Sequence, residues 1–228
     1  MMRQHTDRQY EQQLGKLRSS VLEMGGLVEH QIGQATRALV ERDAELGRAT
    51  VARDHTVNRL DVEVDELCIT LLALHQPAGR DLRLITTALK VTTDLERIGD
   101  LATSIAERAV ELAAEPPLKP YIDLPRMADL SRDMVRRSLD AFVREDAELA
   151  LAVCAADDAI DKLHDQLFRE LLSFMVENPQ TITRAMRLLF ISKSLERVAD
   201  HATNIAEMVI FMVKGRSIRH LDQVPRTL

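Results

Sequence analysis

An all-α fold is predicted: two tandem three-helix bundles, six helices in all, related by a pseudo-twofold internal repeat. Three features of the 228-residue sequence predict it. Apolar residues recur at three- and four-residue spacing almost throughout, as in helices with one buried face. One stretch, Glu115-Pro116-Pro117 with Pro120 soon after, reads as a linker. The chain on either side of that linker repeats at an offset of 100 residues. Only 3% of residues are aromatic and Trp is absent, so the core must be aliphatic. Eight Gly and seven Pro are too few for an all-β protein with many tight turns.

The first stripe runs Leu14, Leu17, Val21, Met24, Val28, Ile32, Ala35, Leu39. Gly25-Gly26 interrupts it, which predicts either a bend or a close approach by another element. The second runs Val57, Leu60, Val64, Leu67, Leu71, Leu74 and stops at Gln76-Pro77, because proline disfavours a helical residue before it. The third runs Val91, Leu95, Ile98, Ala102, Ile105, Ala109, Leu112 and ends before the linker. Beyond it, helix four is predicted over Met127–Val143, helix five over Ala147–Glu177 and helix six over Thr181–Val213, with Asn178-Pro179 between the last two. The predicted domains are residues 1–115 and 121–215, followed by a C-terminal tail, 216–228.

The repeat is clearest where Leu95-Glu96-Arg97-Ile98-Gly99-Asp100 lies over Leu195-Glu196-Arg197-Val198-Ala199-Asp200. Ala102, Thr103, Ile105, Ala106 and Glu107 recur as Ala202, Thr203, Ile205, Ala206 and Glu207. Upstream, Asp61, Asp65, Leu67, Leu71 and Leu72 overlay Asp161, Asp165, Leu167, Leu171 and Leu172. Polar residues match in register as well as apolar ones, which favours two copies of a three-helix unit.

A net charge of −6 argues against nucleic acid as the main partner. Cys68 and Cys154 lie far apart with no CxxC, so neither a thiolate zinc site nor a disulfide framework is indicated. The polar start, Met1 to Asp7, lacks a signal peptide's apolar run. No apolar stretch approaches the roughly 20 residues of a membrane span. The expected location is the cytoplasm, with any membrane contact made through partners and not by insertion.

Four carboxylate pairs stand at i, i+4: Asp61/Asp65, Glu96/Asp100, Asp161/Asp165 and Glu196/Asp200. That spacing puts both side chains of a pair on one helix face. Glu96, Asp100, Thr103 and Glu107 lie nearly opposite the core stripe of their helix, so these acids face outward. Like charges at this spacing destabilise a helix by a few tenths of a kcal/mol, so repeating them suggests a compensating cation. Carboxylate oxygens without Cys or paired His suit hard cations such as Mg²⁺, Mn²⁺, Ca²⁺ or iron. The simpler alternative is a solvated acidic face. His164 and His201 adjoin the motifs as ligands or as surface histidines. No Gly-rich phosphate loop and no GxSxG is present.

Further motifs are Met24-Gly25-Gly26-Leu27-Val28-Glu29, Asp54-His55-x-Val57-Asn58 through Val64-Asp65-Glu66, and Gln76-Pro77 with Asp81-Leu82-Arg83-Leu84-Ile85. Together with the most specific ones, Leu95 to Asp100 and Leu195 to Glu207, they resemble the PhoU family of bacterial phosphate-signalling proteins. The resemblance implies a non-enzymatic adaptor between the ATPase subunit of a phosphate ABC transporter and a membrane sensor histidine kinase. It implies negative regulation of the phosphate-starvation (Pho) regulon, modulation of phosphate uptake, a homodimer, and a place at the inner face of the plasma membrane through partners. It also implies metal ions (Mg, Mn, Fe or Zn) on the E/D-x-x-x-D motifs. In this chain that means Asp61, Asp65, Glu96, Asp100, Asp161, Asp165, Glu196 and Asp200, with Asn204 extending the second copy. Ser104 stands where the family often has the equivalent Asn, which implies unequal occupancy of the two sites. A metal-dependent hydrolase or oxidase and a purely structural helical scaffold stay open beside this reading.

Overall fold

The structure is a computed structural model, and it describes residues 2–216. Residues 217–228, nearly all of the predicted tail, lie outside the described part. The described residues form eight α-helices: α1 (Met2–Glu41), α2 (Ala44–Val51), α3 (His55–His75), α4 (Gly79–Ala113), α5 (Asp123–Arg144), α6 (Ala147–Cys154), α7 (Asp157–Glu177) and α8 (Ile182–Lys214). A single 3₁₀ turn, Pro179–Thr181, precedes α8. Six of the eight are long, and these are the six expected helices.

Two short helices correct the sequence reading. Residues 44–51, assigned to no element, form α2, and the expected single helix over Ala147–Glu177 is two helices, α6 and α7. The carboxylate of Asp43 caps α2 by accepting from the Leu46 amide (2.9 Å), and Asp146 caps α6 from Glu148 and Leu149 (both 3.0 Å). Before each cap sits a left-handed residue, Arg42 (φ 57°) and Glu145 (φ 54°), which turns the chain out of the preceding helix. The break after Cys154 escapes periodicity because buried Ala147, Ala150 and Val153 continue into Ile160, Leu163 and Leu167 with three- and four-residue phasing.

The first bundle comprises α1, α3 and α4 with α2 against α4; the second comprises α5, α7 and α8 with α6 against α8. Between the bundles, α4 packs on α8 and α1 packs on α5. Each helix at the join thus meets its own equivalent, as a twofold relation requires. The core is aliphatic; Phe142 is the one fully buried aromatic among the described residues.

Polar clamps fix the join. Glu145 pairs with Arg18 (2.9 Å) and Arg80 (2.8 Å) of the first bundle. The Arg83 guanidinium donates to the Met212 carbonyl (2.9 Å). Arg42 donates to the Ala113 carbonyl (3.0 Å) and Arg184 to that of Pro116 (2.9 Å), pinning the linker from both sides.

At Gly25-Gly26 the helix runs straight on, and the reason for the glycines is a close approach. A Cβ on Gly25 would stand 2.1 Å from Cδ1 of buried Leu139 on α5, whereas one on Gly26 meets nothing within 4 Å. These neighbours should therefore respond with opposite signs. Gly25→Leu is expected to cost about 1–3 kcal/mol by overpacking, and Gly26→Ala to gain about 0.5–1 kcal/mol from helix propensity. Urea unfolding of the two variants checks this, and stabilisation by Gly25→Leu would contradict the close approach.

Candidate functional site

The acidic residues gather in two outward faces, one on each bundle's antiparallel hairpin. In the first, Glu96 and Asp100 of α4 stand near Asp54 and Asp61 of the α3 side. In the second, Glu196 and Asp200 of α8 stand near Asp157 and Asp161 of α7. The long helices α4 and α8 supply equivalent positions at the expected offset, because one turn of heavily buried Leu-x-x-Ile/Val anchors both.

The shorter helices do not repeat at that offset. Buried Val57, Leu60, Val64 and Cys68 on α3 match buried Ile160, Leu163, Leu167 and Leu171 on α7, which is a shift of 103. The caps Asp43 and Asp146 keep the same shift. Hydrogen bonding agrees: Asp61 bonds Thr92, and at the equivalent place His164 bonds Ser192 through Nδ1 (2.8 Å). From buried Cys68 to buried Ile85 is a step of 17 residues, and from their equivalents Leu171 to Ala185 a step of 14, so the register slips by three across the hairpin turn. Asp61 therefore corresponds to His164, not Asp161; Asp161 corresponds to Asn58; and Asp65 corresponds to Phe168.

The consequence for the expected site is specific. Glu96, Asp100 and Asp61 come together, as do Glu196, Asp200 and Asp161. Asp65 and Asp165 lie exposed one turn further along, and they do not occupy equivalent places in the two copies. Asp54 and Asp157 join the faces and were not among the expected ligands. The signal for them was present: each stands seven residues before Asp61 or His164, so each faces the same side two turns earlier. Asn204 lies on the same helix as Glu196 and Asp200, but its amide makes a long bond to Asp94 of the other bundle (3.5 Å). His201 Nδ1 also pairs with Asp94 (2.7 Å), so this corner of the second face is tied to α4.

The two faces differ in how their oxygens are satisfied. In the first, Thr103 donates to Asp54 (3.0 Å), Asn58 donates to Asp54 (3.3 Å), and Arg97 pairs with Glu96 (3.4 Å) and Asp100 (3.1 Å). In the second, Asp157 Oδ1 and Thr203 Oγ1 are buried atoms without a hydrogen-bond partner. The Lys193 ammonium contacts Glu196 Oε2, the one Lys or Arg paired with these four acids among the described residues. Burial, and then Asp161, Asp200 and Glu196 in that order, push Asp157 up to about 6. Asp161 and Asp200 are raised by burial first and by Glu196 second. In the first face, burial followed by Asp100 raises Glu96.

An all-oxygen donor set that includes the unpaired buried Oδ1 of Asp157 fits a hard cation in its chemistry. Among the described residues, however, no three Asp, Glu, His or Cys side chains are grouped closely enough to hold an ion as they stand. Thiol chemistry is disfavoured: burial pushes both Cys68 and Cys154 up to about 12. Among the described residues no helix is long and apolar enough to cross a membrane.

Fold and site together define a duplicated, all-helical protein with one acidic face per copy. The family model for the PhoU domain matches twice, over residues 21–109 and 124–209. The phosphate-specific transport system accessory protein PhoU homolog of Pseudomonas putida is 43% identical over 218 residues, 95% of this chain and 85% of that protein. Its namesake from Pseudomonas aeruginosa is 40% identical, covering 95% and 90%. The crystal structure of PhoU from Pseudomonas aeruginosa superposes with a TM-score of 0.87 at 40% identity, over 91% of this chain and all of that one. That of the phosphate transport system regulatory protein PhoU from Streptococcus pneumoniae superposes with a TM-score of 0.86 at 29% identity, over 92% and 99%. The chain belongs to the PhoU family.

The raised acids make a stability prediction. A carboxyl whose folded pKa exceeds its unfolded value, about 3.9, holds its proton more tightly when folded. Its contribution is therefore lost as pH rises from about 4 to about 6. In chelator-treated protein, Asp157→Asn should raise stability at pH 7 by on the order of 1 kcal/mol after allowance for solvent screening. The gain should shrink towards zero near pH 4. Thermal melts across that range test it, and a variant less stable at pH 7 would overturn it.

Proposed function

We propose that this chain regulates phosphate transport as a binding protein, linking the ATPase subunit of a phosphate ABC transporter to a membrane sensor histidine kinase. The observation that carries this is the double domain match, with relatives named as phosphate-specific transport system accessory proteins across 95% of the chain. In this reading it represses the Pho regulon when phosphate is plentiful and restrains uptake. It works on the cytoplasmic side as a homodimer, reaching the membrane only through its partners. Deleting the gene in its own organism should make alkaline phosphatase expression constitutive in high phosphate. Expression that stays repressed in the deletion strain would overturn the reading.

The acidic faces supply a binding role for metal. Asp157, Asp161, Glu196 and Asp200 would hold a cation on the second bundle, with Asn204 at its edge; Asp54, Asp61, Glu96 and Asp100 would do so on the first. A bound cation would neutralise the mutual repulsion of these carboxylates. The second face is the stronger candidate because the buried Oδ1 of Asp157 lacks a donor, while the oxygens of Asp54 are already bonded, and because Ser104 replaces the Asn.

If so, chelation should lower the melting temperature of the wild type, since a cation that binds only the folded state stabilises by mass action. The double change Glu196→Gln, Asp200→Asn should reduce metal content and blunt the chelator effect. Glu96→Gln, Asp100→Asn should change both less. Elemental analysis and melts decide it: equal loss from either pair, or no metal with no chelator effect, would refute the assignment.

A further inference from the structure

The hairpin of α7 and α8 carries a second feature beside its acids. Along α7, Asp157 and Asp161 are followed at three- and four-residue steps by Asp165, Phe168, Leu172 and Val176, one continuous outward stripe. Along α8 the order is reversed: Ile182, Met186 and Phe190 come first, then Lys193, Glu196 and Asp200. Because the helices run antiparallel about a short turn, the apolar halves lie side by side at the turn and the acidic halves lie side by side at the other end. The six apolar side chains are exposed by 37–76%. Contiguous apolar exposure on this scale marks an interaction surface more often than a bare one.

The first bundle serves as an internal control. At the places of Phe168, Met186 and Phe190 it carries Asp65, Thr86 and Lys90, whereas Leu172 and Ile182 have exposed apolar equivalents in Ile69 and Leu82. The same fold is thus stable with polar residues at those three places, so Phe168, Met186 and Phe190 are not required by the hairpin. Phe190 meets the other bundle, with the Arg108 guanidinium 5.9 Å above its ring.

We infer that the α7–α8 face docks an amphipathic helix of another protein, one whose apolar stripe ends in lysine or arginine. The stripe would lie between the Phe168/Leu172/Val176 ridge and the Ile182/Met186/Phe190 ridge, as helices occupy apolar grooves elsewhere. The basic end would meet Asp157, Asp161, Glu196 and Asp200, four carboxylates of which Glu196 is paired with Lys193. Charge complementarity of this kind sets orientation and partner choice. The inference rests on the adaptor reading and gives it a surface. A cation at the acidic end would compete with the partner's basic residues, so metal and partner would oppose each other there.

The test uses the full chain in chelating buffer with two synthetic 18-residue helical peptides. Both carry a leucine stripe; one ends in three lysines and the other in three glutamates. Fluorescence anisotropy should show the lysine-ended peptide binding at least tenfold more tightly. The triple variant Phe168→Asp, Met186→Thr, Phe190→Lys installs the first bundle's own residues. It should keep wild-type helicity and melting temperature and lose binding at least tenfold. Equal binding of the two peptides, or unchanged binding by a folded triple variant, would overturn the inference. So would light scattering in which the wild type is a dimer, the triple variant a monomer, and neither binds the peptide, because the occupant would then be a second copy. A failed peptide experiment beside a constitutive deletion phenotype would sink this surface alone, and the reverse outcome the adaptor reading alone.

Discussion

The packing of α4 against α8 is the contact on which the rest of the molecule depends. These helices span Gly79–Ala113 and Ile182–Lys214, and each is buried along most of its length. One face of each serves its own bundle and another serves its twin, leaving a third free. Small residues make this affordable in space: Gly99, Ala102, Ala106 and Ala109 on α4, and Ala199, Ala202 and Ala206 on α8, are all buried. The free face is where Glu96, Asp100, Glu196 and Asp200 emerge. Because both helices are held rigidly by the core, the acids they carry cannot separate by moving backbone, and their repulsion is built into the fold.

That repulsion has a stability cost and a use. A face that keeps Asp157 near a pKa of 6 is poised to gain from any positive group that arrives. The first face spends part of that capacity internally, through Thr103, Asn58 and Arg97. The second has Lys193 against Glu196 but leaves the buried Oδ1 of Asp157 without a donor. Two copies of one unit have therefore diverged in chemistry while remaining alike in architecture. Local conflict of this sort, tolerated by a well-packed core, is characteristic of sites under functional demand.

The bundles are also coupled. Asp94 of α4 holds His201 and Asn204 of α8, so the edge of the second face is fixed by the first bundle. The reverse tie is missing, because Ser194, Leu101 and Ser104 occupy the equivalent places. Glu145, clasped by Arg18 and Arg80, locks the opposite side of the join. The second face and the first bundle therefore share a short polar contact at Asp94.

The six long helices, the linker at Pro116-Pro117 and the duplication were legible in the sequence, because periodic burial and a cluster of prolines are local properties. Glu96, Asp100, Glu196 and Asp200 were legible for the same reason: they sit in one rigid helix repeat, in identical register. The break at Cys154 was not, since the apolar phase runs through it unbroken and only the tight turn through Ala155 and Ala156 marks it. Nor was the true pairing of α3 with α7. Overlaying Asp61 on Asp161 looks convincing along the chain, but burial of Val57, Leu60 and Val64 against Ile160, Leu163 and Leu167 sets a register three residues away. A loop can absorb such a slip at little cost, whereas a packed helix cannot, so core packing decides which acids meet. Asp54 and Asp157 enter the faces, and Asp65 and Asp165 fall outside them, for that reason alone.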